Sequence, residues 1–182
     1  MKTLVIVTHP NIHDSMVSKT WVHMLRQHPD RFTVHELYSE YPDGVIDVER
    51  EQALVEEHQN IVLQFPVYWF NCPPLLKQWC DEVLTYGWAY GSKGKAFENK
   101  KLGIAGSLGA PASEYSTEGS GGYTVAETLR PFELTANYIS ANYQPLFTFH
   151  TIDTYESYDE AAAQLVADSA DDYLAHLNTY YA

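Results

Sequence analysis

The chain opens on an unbroken apolar run. Residues 2–8 (KTLVIVT) are β-branched and apolar without alternation, which predicts a strand covered on both faces and therefore central in a parallel sheet. The run stops at His9, Pro10 and Asn11, and apolar positions resume at helical spacing as Met16, Val17, Trp21, Met24 and Leu25. That is an amphipathic helix with Asp14 or Ser15 as its cap. Residues 32–37 (FTVHEL) alternate as a second strand, and residues 47–58 form a charged helix with Val48, Leu54 and Val55 on one face. Residues 61–65 (IVLQF) make a third strand, closed by Pro66. Pro73 and Pro74 open a helix carrying Leu75, Leu76, Trp79, Val83 and Leu84, because a first-turn N–H has no helical partner to lose. Residues 102–105 are a short fourth strand, and residues 107–123 a long polar loop with Gly109, Gly119, Gly121 and Gly122. Residues 124–139 form a helix that Pro131 must bend or split. Residues 145–150 (PLFTFH) are a fifth strand, and residues 157–177 an alanine-rich closing helix. This alternation demands right-handed crossovers and a parallel sheet between two helix layers. No repeat or linker interrupts it, so residues 1–182 read as a single domain.

Composition narrows the classes. With 45% hydrophobic and 14% aromatic residues, the 182-residue chain has enough apolar material for one folded, soluble core. Its 24 acidic against 11 basic side chains leave a net charge of −13, which removes the basic surface that nucleic acid or an anionic membrane needs. No apolar run approaches the ~20 residues that cross a bilayer. Nor does the N-terminus carry a leader pattern, so Met1 is expected to begin the mature chain. The 2 cysteines, Cys72 and Cys80, show neither a CxxC nor a zinc spacing, which fits a reducing cytoplasm.

In an open α/β sheet, ligands bind beyond the carboxyl ends of the strands. Three loops therefore carry the candidate chemistry. The first holds His9, Asn11, His13, Asp14, Ser15 and Ser18 ahead of a helix whose N-terminal amides suit a phosphate; the same serines would equally serve as ordinary caps. The second, Pro66, Val67, Tyr68, Trp69, Phe70 and Asn71, sets three consecutive aromatics at a strand end. Such ring area implies a flat ligand or a second subunit, unless it completes the core beneath the loop. Trp88 and Tyr90, among the glycines of YGWAYGSKGKAF, could line the same pocket from a partner chain. The third loop, Gly106, Ser107, Leu108, Gly109 and Ala110 with Tyr115 beyond, lets backbone N–H groups and a hydroxyl approach a ligand. Other signals are absent: there is no P-loop, GxGxxG or GxSxG, and the 8 histidines show no metal spacing. Glu49, Glu51, Glu56 and Glu57, with Asp47, read as a solvated helix face.

Several segments in order carry a family likeness: HP with a following serine (His9, Pro10, Ser15), YPDGVIDVEREQAL, FPVYWFNCPPLLKQWCDEVL, GWAYG, GKAF with a following KKL, and LRPFE. Together they resemble the flavodoxin-like NAD(P)H:quinone oxidoreductases, in the short bacterial branch that includes ancillary flavoproteins of glutathione-gated potassium efflux. The resemblance implies an α/β flavodoxin-like three-layer sandwich, a parallel sheet ordered 2-1-3-4-5, and a cytoplasmic homodimer with sites at the subunit interface. It implies FMN rather than FAD, since the long C-terminal extension of the animal enzymes is missing, with NAD(P)H as donor and a quinone or similar aromatic acceptor. Hydride would pass through the flavin in two-electron, ping-pong fashion. Carried over, His9, Ser15, Met16, Val17 and Ser18 match the flavin phosphate and ribityl loop. Pro66, Val67, Tyr68, Trp69 and Phe70 match the segment along the ring, and Ser107, Leu108, Gly109 and Ala110 the third loop. Tyr115 matches the catalytic tyrosine that stabilises charge on reduced flavin. Ser18 stands where asparagine is usual and Ala110 where glycine is usual; the histidine accompanying the tyrosine would fall near Gly121 and is missing. Two alternatives come with the likeness: a regulatory subunit partnering a potassium-efflux transporter, and a flavodoxin-like electron carrier, which the missing TxTGNT loop disfavours.

Overall fold

The computed structural model describes residues 2–150 and 159–182. The opening run becomes β1 (Thr3–Val7), buried at every position. After a single 3-10 turn at Ile12–Asp14 comes α1 (Met16–Arg26), capped by Ser15, whose hydroxyl accepts from the Ser18 amide at 3.0 Å. β2 (Phe32–Glu36) is followed at once by a four-residue helix, α2 (Leu37–Glu40), so Leu37 belongs to the helix and not to the strand as the alternation predicts. α3 (Val48–Glu56) is capped by Asp47. β3 (Asn60–Pro66), α4 (Pro74–Val83) and β4 (Lys101–Leu108) follow. The split at Pro131 is observed: α5 (Val125–Thr128) ends at Leu129, and α6 (Arg130–Tyr138) restarts with the proline in its first turn. β5 (Asn142–Tyr143), β6 (Phe147–His150) and α7 (Glu160–Tyr180) complete the chain. The expected first two residues of the closing helix, 157 and 158, lie outside the described residues.

The strands run parallel in the order β2-β1-β3-β4, with β5 and β6 both on the outer edge of β4. The sheet thus has six strands where five are expected, because the last one is broken. Leu102 pairs with Tyr143 and Ala105 with Phe147, leaving one more residue on the edge than on β4. Pro145 sits in that gap, where its missing N–H removes no ladder bond.

Side-chain alternation divides the sheet cleanly. Leu4, Ile6, Ile61, Leu63 and Ile104 face α3, α4 and α6, whereas Val5, Val7, Val62 and Ala105 face α1 and α7. Trp21 of α1 donates to the Ser169 hydroxyl of α7 at 2.9 Å, and Phe147 stacks on Tyr173 at 5.0 Å. Gly103 leaves room for Tyr181: a Cβ there would lie 1.8 Å from the Tyr181 hydroxyl oxygen. The result of this layering is one open edge, where β1, β3, β4 and β6 all end.

Candidate functional site

At that edge the three loops meet. Thr8 follows β1 and donates its amide to the Gln64 carbonyl at 2.8 Å; Val67 does the same to Ser107 at 2.8 Å, so the second and third loops leave the sheet tied together. The His9 and Tyr68 rings lie edge to face at 6.3 Å, joining the first loop to the second.

In the first loop the Asn11 amide donates to His9 Nδ1 at 3.1 Å, which leaves the imidazole hydrogen on Nε2. Burial lowers the His9 pKa from its ordinary value, so the ring is a neutral N–H donor. At the start of α1, Ser15 takes the Ser18 amide, and the Met16 and Val17 amides have no helical acceptor. The capping reading of Ser15 is therefore correct, and it is compatible with an anion site because the hydroxyl still has its hydrogen to donate. Val17 and Ser18 are themselves buried in the core, so they can offer a ligand backbone rather than side chain.

The second loop is a tight turn. Tyr68 and Asn71 exchange both backbone bonds, at 2.8 and 3.0 Å, and between them Trp69 and Phe70 adopt φ of 49° and 64°. Two left-handed residues in succession are usually Asn-Gly, and bulky aromatics there carry strain of about 1–3 kcal/mol each. The rings gain no core burial in exchange: Trp69 is 93% exposed and Phe70 61%. Core completion is thus excluded for these two side chains.

The third loop and its continuation wall a cavity of about 510 Å³, bounded by Phe70, Ala110, Glu114, Tyr115, Gly121 and Tyr123 among others. That lies inside the roughly 300–1,000 Å³ of small-molecule sites. Burial raises the Tyr115 pKa above its ordinary value, so its hydroxyl stays protonated and able to donate. Leu108 is a core side chain, 2% exposed, so what it can offer a ligand is its backbone.

Three further placements bear on the sequence expectations, and one of them, Glu51, overturns its expectation. Within one chain Trp88 and Tyr90 lie at the opposite sheet edge: Trp88 Nε1 donates to Glu56 at the end of α3 (2.7 Å), and Tyr90 packs on Tyr138 at the end of α6 (5.3 Å). They can reach a site only on another copy. Glu51 is not solvated but fully buried, accepting from His35, Tyr41 and Trp79. Gly121 does sit at the cavity, with nothing within 4 Å of where a side chain would begin. The pattern gave no warning of Tyr123 and Thr128 on the cavity wall, nor of His150 behind it.

Comparison with known proteins agrees with this architecture. The family described as having a flavodoxin-like fold matches residues 1–177. A Bacillus subtilis (strain 168) protein named as an NAD(P)H oxidoreductase, YrkL, is 54% identical over 148 residues, covering 81% of this chain and 84% of its own. The crystal structure of general stress protein 14 from Treponema denticola in complex with FMN is 61% identical, covers 98% of this chain and 99% of its own, and superposes with a TM-score of 0.93. An NADPH-quinone reductase from P. pentosaceus is 32% identical with a TM-score of 0.80, covering 94% and 97%. A parallel sheet in the order β2-β1-β3-β4 with both remaining strands on β4, three loops converging at its carboxyl edge, and a match over nearly the whole chain lead to one conclusion: this protein belongs to the flavodoxin-like fold family.

Proposed function

We propose that the chain is an FMN-dependent NAD(P)H:quinone oxidoreductase acting as a homodimer. The observation that carries this reading is the convergence of an anion-ready helix start, a strained aromatic turn and an N–H-bearing loop at one end of the sheet, with Phe70 of the second and Ala110 of the third walling a shared cavity. The residues suit the cofactor. Ser15 Oγ and the Met16 and Val17 amides offer neutral donors to a phosphate, which an acidic protein can hold without an arginine cluster. Beneath the loops, the Thr8 hydroxyl and both polar atoms of the Gln64 side chain are buried with no partner among the described residues. Buried polar groups are rarely left so, and their position at the carboxyl ends of β1 and β3 fits a partner supplied by a bound molecule or its waters.

The flavin, when bound, supplies two-electron hydride chemistry that no side chain here can perform. The protein's part is positional. Trp69 and Phe70 give a rigid apolar surface for stacking and exclude water. The loop from Ser107 to Ala110 offers N–H groups to the acceptor edge of the ring, and Tyr115 offers a hydroxyl to charge developing there. In a dimer, Trp88 and Tyr90 of one protomer would close the cavity of the other, which accounts for their place at the far edge.

A purified, FMN-supplemented protein should be yellow, be bleached once by NAD(P)H alone, and oxidise NAD(P)H continuously when a quinone is added to re-oxidise the flavin. Ser15→Asp should keep the helix capped, since aspartate caps as well as serine, yet lose FMN by setting a carboxylate against the phosphate. An unchanged FMN affinity in Ser15→Asp, measured by flavin fluorescence quenching, would overturn the placement.

A further inference from the structure

His150 ends the edge strand, paired with Leu108, level with the point where the third loop leaves β4. Its Nδ1 lies 3.0 Å from the Ala110 carbonyl oxygen. A carbonyl can only accept, so Nδ1 carries the hydrogen and donates it. The same imidazole meets the Tyr115 ring, with centroids 5.6 Å apart at 58°. Ala110 and Tyr115 both wall the cavity, while His150 stands behind them. Among the described residues the loop between has little other support. A Cβ built on Gly109 would meet nothing within 4 Å, and the turn at Ala112–Glu114 is closed by its own bonds, Glu114 N to Pro111 O at 3.0 Å and Tyr115 N to Ala112 O at 3.1 Å.

On the flavin reading above, we infer that His150 is a positioning residue whose Nδ1–H clamps the Ala110 carbonyl, fixing the cavity wall for the reduced cofactor. The polarity of the wall explains why this matters. A carbonyl oxygen turned toward a reduced flavin repels the negative charge it carries, whereas N–H and O–H groups attract it. The Glu114 carboxylate on the same wall accepts from Ser120, and with the Ala110 oxygen engaged from behind, the Tyr115 hydroxyl stands on the wall as a donor toward that charge. No bond joins the imidazole to the Tyr115 hydroxyl among the described residues, so the role is geometric and moves no proton.

Two substitutions separate the donor from the ring. His150→Asn places an amide N–H near the Nδ1 position without the aromatic ring, and His150→Phe keeps the ring without the donor. Amide hydrogen exchange across residues 107–115 is measured in the flavin-free chain, and FMN affinity by fluorescence quenching. His150→Phe should exchange faster and bind FMN about 2- to 13-fold more weakly, the scale of one neutral hydrogen bond, while His150→Asn stays close to wild type on both. Wild-type exchange in His150→Phe, or an equal loss in both variants, would overturn the clamp. A wild-type protein that binds no FMN would instead overturn the flavin reading, and the exchange data alone would then decide the clamp.

Discussion

Tyr115 joins the cavity to the core, half-buried with its ring against His150 and its hydroxyl kept protonated by burial. If that hydroxyl holds charge as the flavin is reduced, Tyr115→Phe should leave FMN affinity nearly intact and slow flavin reduction by about 2- to 13-fold, read by stopped flow. An unchanged rate would reduce Tyr115 to packing. Glu51 is the contrasting case, a carboxylate spent on the fold. Burial by itself would raise its pKa, but donors from His35 (2.8 Å), Tyr41 (2.6 Å) and Trp79 (2.8 Å) outweigh that and hold it below the ordinary 4.5. Glu51→Ala strips the acceptor from three buried donors and should cost about 3–5 kcal/mol in urea unfolding. The pH dependence has a definite sign. Since the folded carboxyl titrates lower than the unfolded one, its stabilisation is complete above pH ~4.5 and is lost as pH falls through the folded value. Glu51→Gln should therefore flatten the acid limb of the stability curve.

Among the elements, the turn between β3 and α4 stores the most evident strain. Replacing Trp69 by Asn together with Phe70 by Gly gives the sequence that two left-handed residues prefer. The double variant should gain about 1–2 kcal/mol of unfolding free energy in the flavin-free chain and lose turnover. No gain in stability would mean that the conformation costs little and its retention needs no functional explanation. The helices show the opposite relation between sequence and geometry. Ser15, Asp47, Thr124 and Asp159 each cap a helix with a side-chain oxygen, and Pro74 and Pro131 stand in first turns, so element starts follow local chemistry with no strain to explain.

Taken as a whole, the chain exposes large apolar side chains at both ends of its sheet. Trp69 and Phe70 stand at the carboxyl edge; Tyr86 (72%), Leu134 (61%) and Tyr138 (71%) lie along α6 and the segment before β4. A two-fold arrangement that sets one end against the other would cover both and complete two cavities at once. Light scattering at micromolar concentration should give the mass of two chains, and a monomer retaining full activity would refute the dimer. No described helix is long and apolar enough to cross a membrane.

The order of strands and helices was legible because each is a local statement: an apolar run of period-free β-branched residues, a cap, a proline in a first turn. The placement of the candidate site followed from the alternation of strands and helices, since strands that run parallel end together. Where Glu51 points was not legible, because a charged helix face looks the same whether its carboxylate meets water or three donors brought from β2, the 41–47 segment and α4. The same holds for the break at Pro145, for the removal of Trp88 to the far edge, and for His150 behind Ala110, forty residues away in sequence. Periodicity records how exposed a face is; which distant group answers a buried donor or carbonyl is settled only when the sheet brings them together.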